Sequence, residues 1–329
     1  ALVLLVSLGT FCIGVGAAWL VTMTRFTGAR LLEVALVLPL AFPAYVLAYA
    51  YTNVLDHPGI VQTTLRDVMG WGPRDYWFPD IRSLGGAALM LTLVLYPYVY
   101  LLARAAFLQQ SGTTFLAARA LGKSPWAAFF KVSLPLARPA IAAGVLLAVM
   151  ETIADFGTVA YFGVQTFATG IYTAWFSLFD RTGAAQLALC LLSFALLLAM
   201  LERMQRGRAK YHDPARQAQQ MAPIELTGWD AIFAQVLCGV PVLFGAVLPV
   251  FVLFSMGLGS EQNLLSPRYL GFIRNSLTLA GIAAVVTVSA AVAVGFFQRL
   301  RPGRVSRSTG SVSYTHLRAH ETRYTISYS

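Results

Sequence analysis

The chain has 329 residues, 57% of them hydrophobic and only 12% charged, with a mean hydropathy of +0.66. Soluble domains carry about 25% charged residues, so the composition excludes an ordinary water-soluble protein and points to a bilayer. The net charge of +10 would suit a nucleic-acid partner, but the bases sit in short stretches beside apolar runs, with no basic stripe and no aromatic platform for bases.

Seven apolar runs follow one another: Ala1 to Val21, Leu32 to Leu55, Leu84 to Phe107, Ala140 to Phe162, Ala185 to Leu201, Ala231 to Leu258 and Phe272 to Phe297. Crossing a bilayer takes about 20 apolar residues. Backbone groups in lipid must be satisfied internally, so the runs are expected to be helices. They lack the alternation of barrel strands. The expected fold class is an all-α membrane protein, a polytopic bundle of about seven transmembrane helices. The chain opens on an apolar run at Ala1, without the basic start or small-residue cleavage site of a signal peptide, which predicts a fragment start. Cys12, Cys190 and Cys238 lie inside apolar runs and lack metal-ligand or disulfide spacing.

Pro39 and Pro43 fall in the second run, where a missing N–H and a ring clash kink a helix. Freed carbonyls there either line a water-filled route or find partners on neighbouring helices. Tyr45, Tyr49 and Tyr51 continue from this kink toward the next loop. That loop, Asp56 to Ser83, is rich in Trp, Tyr and Pro. Trp71, Tyr76, Trp77 and Trp175 suit an interfacial belt.

Lys and Arg residues divide unevenly between alternate loops. Sixteen lie in one set, including Arg25, Arg104, Lys123, Lys131, Arg138, Lys210 and Arg301. Six lie in the other: Arg66, Arg74, Arg82, Arg181, Arg268 and Arg274. The richer set is cytoplasmic. The chain then enters from outside at Ala1, and the Asp56 to Ser83 loop is external.

The cytoplasmic stretch 109–139 is the most informative. Phe115 to Leu121 is Ala-rich and expected to be helical. Gly122 permits the backbone angles of a sharp stop. Pro125 suits the first turn of a second short helix, with Pro135 and Pro139 bracketing its exit. Ala117 to Ser124 also fits a relaxed phosphate-loop pattern, but no strand precedes it and it is not glycine-rich, so no nucleotide site is expected in this chain.

Further on, Glu151 and Asp155 stand four apart in the fourth run, on one helix face. Intramembrane carboxylates face a cavity or a polar partner. They therefore either line a path or tie neighbouring helices together.

Ser276 to Arg304 can be laid on Ala1 to Ala29 without gaps, pairing Leu2 with Leu277, Ala18 with Ala293 and Gly28 with Gly303. This suggests a repeat in which both copies enter from the same side. The final stretch, 310–329, is polar, resembles a translated sequencing adapter and is expected to be non-native. His316, His320 and Glu321 fall there and are not read as a zinc site.

The stretch 109–139 resembles the coupling loop of ABC importer permeases. That family's pattern is Glu-Ala-Ala, three residues, Gly, nine residues, then Ile-x-Leu-Pro. Ala117, Ala118, Gly122, Leu134 and Pro135 match it. Leu116 replaces the glutamate and Val132 the isoleucine. The wider chain resembles the iron(III)-type permeases, which fuse two halves in one polypeptide. The Pro39 to Tyr49 and Glu151 to Thr158 segments carry that likeness.

The resemblance implies the type I importer permease fold, with a first half at 1–228, the start of a second at 229–309, and no catalytic chemistry. It implies partners as well: ABC ATPase subunits that bind the ATP and dock at Ala117, Ala118, Gly122, Lys123 and Pro135, and a periplasmic or lipid-anchored substrate-binding protein. It places the chain in the bacterial inner membrane. Glu151, Asp155, Pro39, Pro43 and Tyr45 become candidates for the translocation path, with ferric iron as cargo. Permeases for thiamine, polyamines, phosphonates, sulfate and molybdate share the architecture. A secondary transporter would instead show inverted repeats, and a membrane enzyme would need convergent His, Cys or Ser groups.

Overall fold

The computed structural model describes residues 1–73, 75–110, 118–208, 224–259 and 266–300. Leu116, Ala117 and the stretch 310–329 lie outside the described residues. The chain divides into two units, Ala1–Leu258 and Gly259–Ser329.

The first unit contains helices α1 (Leu2–Met23), α2 (Ala29–Ala35), α3 (Ala44–Leu55), α4 (Ile60–Met69), α5 (Leu84–Gln109), α6 (Trp126–Ala154), α7 (Gly157–Tyr161), α8 (Phe167–Tyr172), α9 (Arg181–Arg208) and α10 (Trp229–Leu258). The second contains α11, Pro267–Leu300, a single apolar helix of 34 residues. Helices α1, α5, α6, α9, α10 and α11 are each long and apolar enough to cross a membrane. Ala29–Ala41 and Ala44–Met69 meet the same criterion only as a pair, bent by 94°. The expected all-α membrane bundle is what the chain forms.

The core shows how the helices of the first unit run. It falls into two apolar clusters. The first gathers Val15 to Met23 of α1, Leu36, Tyr96 to Phe107 of α5, Phe129 and Ile141 of α6, and Cys238 and Val242 of α10. The second gathers Leu2 and Val6 of α1, Leu47 and Tyr51 of α3, Ala87 to Leu95 of α5, and Ala148 of α6, with Leu248 of α10 against it. Helices α1 and α5 therefore run parallel, while the broken pair, α6 and α10 run the opposite way. Arg25, Arg104, Lys123 and Lys131 belong to the end marked by the first cluster, and Arg66 and Arg82 to the other. By the positive-inside rule the first cluster is the inner one.

Close approach of α1, α5 and α6 depends on two glycines meeting at Val99. A Cβ on Gly14 of α1 would fall 2.7 Å from the Val99 Cβ, and one on Gly144 of α6 would fall 2.8 Å from the Val99 Cα. Small residues are what allow membrane helices to pack backbone to backbone. At the inner end, Thr24–Arg25 pairs in parallel with Ile224–Glu225. Gln235 donates to the Thr27 carbonyl at 3.0 Å. The start of α10 is thereby fixed beside the end of α1.

Three expectations need correction. The second run is not one helix. Phe42 is extended (φ −101, ψ 132), as a residue before proline prefers, and Pro43 caps α3. The fourth run stops at Ala154 instead of reaching Phe162, because Asp155 leaves the helix with ψ 126. The stretch after Gly122 is not a separate short helix with a proline-bracketed exit: it continues unbroken into α6 through a π turn at Phe129–Ser133. There Leu134 N–H reaches back to the Phe129 carbonyl. This widened turn relieves the clash that Pro135 would impose on a regular helix.

Candidate functional site: coupling loop and translocation face

The loop is built around one left-handed glycine. Gly122 has φ +79 with open space around its α-carbon. Its N–H bonds the Arg119 carbonyl at 3.0 Å, and Lys123 N–H bonds the Ala118 carbonyl at 3.1 Å. That pair of bonds is the Schellman closure of a helix. Arg119 also donates to the Lys123 carbonyl at 2.8 Å. The chain turns at once into α6, where the Ser124 hydroxyl accepts from Ala127 N–H at 3.2 Å, a helix cap. Ala118 is half-buried, while Gly122 and Lys123 are exposed, as is Leu121 at 81%.

Beneath the loop lies an aromatic cluster. Trp19 of α1 meets Trp126 and Phe129 of α6, each at 4.9 Å between ring centroids, and Phe107 of α5 meets Phe129 at 6.1 Å. Gln110 donates to the Ser133 carbonyl at 2.8 Å, tying the end of α5 to the π turn. Three helices are thus gripped at the point where the loop enters the bundle. From Trp126, α6 runs 29 residues without interruption, about 43 Å. The loop and Glu151 are therefore joined by one continuous helix.

The candidate path residues separate. Glu151 is exposed on the outer half of α6. Asp155 is engaged in capping: its carboxylate accepts from Thr158 N–H and hydroxyl, both at 3.1 Å, and from Val159 N–H at 3.2 Å. Tyr45, 55% exposed, lies against Gly157, where an added Cβ would be 3.1 Å from the tyrosine Cβ. Pro43 is exposed. Pro39 is buried, with its ring against Gly245 of α10. The structure thus gathers Tyr45 and Asp155 around the start of α7 and sets Pro39 elsewhere. Beside them Tyr49 meets Tyr161 at 6.3 Å, and Arg82 lies over the Tyr161 ring at 5.2 Å. Arg82 also pairs with Asp56 at 2.9 Å. That hydrogen bond holds its guanidinium above the ordinary arginine pKa.

Of two further charged residues, Glu33 was not singled out from the sequence and Arg138 was placed in a loop. Glu33 pairs with Arg104 and joins α2 to the inner end of α5. Its place at the edge of an apolar run was the available signal. Arg138, expected in a cytoplasmic loop, lies inside α6. It lines a groove of about 570 Å³ with Phe11, Leu134, Ile141, Val145 and Val149. Among the described residues, no three His, Cys, Asp or Glu side chains converge to hold a metal ion.

A bundle of apolar helices in alternating directions, with an exposed loop closed by Gly122 at its inner end, is the architecture of a polytopic membrane protein. The family described as "binding-protein-dependent transport system inner membrane component" matches residues 11–210, and the chain belongs to it. It is 26% identical over 296 residues to the Fe(3+)-transport system permease protein FbpB 2 of Haemophilus influenzae, covering 87% of this chain and 52% of that protein. It is 31% identical over 197 residues to the molybdenum transport system permease protein ModB of Escherichia coli, covering 57% of this chain and 81% of that protein. Against ModB of Haemophilus influenzae the identity is 28% over 187 residues, covering 56% and 78%. The chain spans about half the length of FbpB 2. It is a transport component and not an enzyme.

Proposed function

We propose that this chain is a membrane part of an ATP-driven bacterial importer for ferric iron, seated in the inner membrane. In this reading the loop around Ala117, Ala118, Gly122, Lys123 and Pro135 docks on an ABC ATPase subunit. A binding protein delivers cargo at the outer end. Residues 1–228 form one permease half and a second begins at Trp229. ATP-driven closure of the ATPase moves the loops, and the bundle changes the side to which it opens.

The observation that carries the reading is the continuity of the Schellman-closed loop with α6. The lever and the Glu151 face share one helix. Glu151, Tyr45 and Pro43, left exposed on the first unit, are the residues we assign to the path. A carboxylate there lowers the entry barrier for a cation. Likeness to FbpB 2 along 87% of the chain supports iron.

Likeness to the ModB proteins, and Arg138 within the span, favour a second reading in which the cargo is an oxyanion. Uptake of radiolabelled ferric iron and of molybdate, measured with the co-encoded ATPase and binding protein, separates the two. The importer reading itself is tested by crosslinking from Lys123→Cys. Capture of a nucleotide-hydrolysing subunit from the cytoplasmic side supports it. Labelling of that cysteine from outside overturns it.

A further inference from the structure

Helix α4 is amphipathic the wrong way round for a helix facing water. Ile60, Val61, Thr64, Leu65 and Val68 form one stripe at helical spacing, and Ile60 and Val68 are 59% and 74% exposed. Gln62 and Arg66 turn inward instead, while Asp67 stays exposed at the edge of the stripe. Gln62 is buried, its amide donating to the Leu55 carbonyl at 2.9 Å and accepting from the Tyr76 hydroxyl at 2.8 Å. Arg66 donates to the same hydroxyl at 3.1 Å and to the His57 carbonyl at 3.0 Å. Within the stripe the Thr64 hydroxyl folds back on the Ile60 carbonyl at 2.7 Å, so the stripe presents a methyl group there and no open hydrogen-bonding group.

Water would leave this apolar surface uncompensated, at about 25 cal/mol per Å². The helix follows α3, whose Leu47 and Tyr51 belong to the outer cluster, so α4 lies at the outer end of the bundle. Trp71, stacked on Tyr76 at 5.5 Å, and Trp77, 86% exposed, stand beside it. Indole rings of this kind concentrate at the headgroup level. We propose that α4 is an interfacial helix whose stripe seats between phospholipid headgroups and acyl chains of the outer leaflet, with the Gln62–Tyr76–Arg66 network holding it against the bundle. This rests on the membrane fold and its sidedness, not on the importer reading.

The test uses the full chain in phosphatidylethanolamine–phosphatidylglycerol vesicles, with Cys12 and Cys190 replaced by serine and one nitroxide placed at Val61→Cys, Leu65→Cys or Val68→Cys. Pro79→Cys in the external loop is the aqueous control. At the stripe positions, collisions with oxygen are expected to exceed those with a water-soluble nickel chelate, and the order to reverse at position 79. Chelate collisions dominating along the stripe would put it in water and overturn the proposal. Exclusion of both reagents would place it against protein and overturn it equally. Three stripe positions keep the answer available if one variant does not fold.

Discussion

The Tyr51 hydroxyl donates to the Phe244 carbonyl at 2.6 Å, joining α3 to α10 across 193 positions of sequence. The bond answers a local defect. Within the π turn Leu243–Val247, Leu248 N–H goes to the Leu243 carbonyl. The next donor in the ladder would come from residue 249, a proline with no N–H. Phe244 is left without a helical partner, and Tyr51 supplies one.

Tyr51→Phe therefore strands a carbonyl in the membrane interior, at a cost of about 1–3 kcal/mol. The midpoint of thermal unfolding in detergent is expected to fall. Pro249→Ala restores an N–H to that turn, so the double variant is expected to lose less than Tyr51→Phe alone. A double-mutant cycle reads this directly. Equal losses in both backgrounds would mean that the bond does not serve the turn.

Glu151 and Asp155 are expected to respond differently. Asp155→Ala removes the acceptor for two N–H groups at the start of α7, costing about 0.5–2 kcal/mol. Its melting temperature should fall, and transport with it. Glu151→Gln is expected to leave the melting temperature unchanged and reduce uptake. Unaltered uptake in Glu151→Gln at full expression would remove that residue from the path.

Gly122→Ala forces an L-residue into the left-handed region, at about 1–2 kcal/mol. No neighbour is in the way, so the cost is conformational. Hydrogen exchange of the Lys123 amide, protected by the Ala118 carbonyl, is expected to accelerate. Gly122→Asn should accelerate it less, because asparagine tolerates this region.

The grip on Val99 predicts that Gly14→Val and Gly144→Val each overpack the core, at about 1–3 kcal/mol. Both should lower the thermal midpoint. Gly239→Ala in α10 has nothing within 4 Å of the added carbon and is expected to be tolerated.

The six or seven apolar helices were legible because hydropathy acts over whole segments. Gly122 was legible as a stop because a left-handed position has few occupants. The kink of the second run was legible from its prolines, but its sharpness at Phe42–Pro43, the end of α6 at Ala154 and the passage of that helix through Pro135 were not. Each depends on which backbone group finds a donor or acceptor elsewhere. Asp155 is as polar in a span as in a cap, and only the Thr158 and Val159 amides decide between them. Pro135 reads as a breaker until a π turn absorbs its ring. Arg138 was given to a loop because the neighbouring prolines hid the helix that carries it.

The two-residue seam between Thr24–Arg25 and Ile224–Glu225, with Gln235 on Thr27, has a consequence for assembly. It places α10 by non-covalent means, independently of the peptide that joins it to α9. A gene cut between codons 208 and 224 should therefore yield two products that recombine in the same bilayer, each supplying one edge of the seam. Continuity of the polypeptide there would serve stoichiometry more than shape.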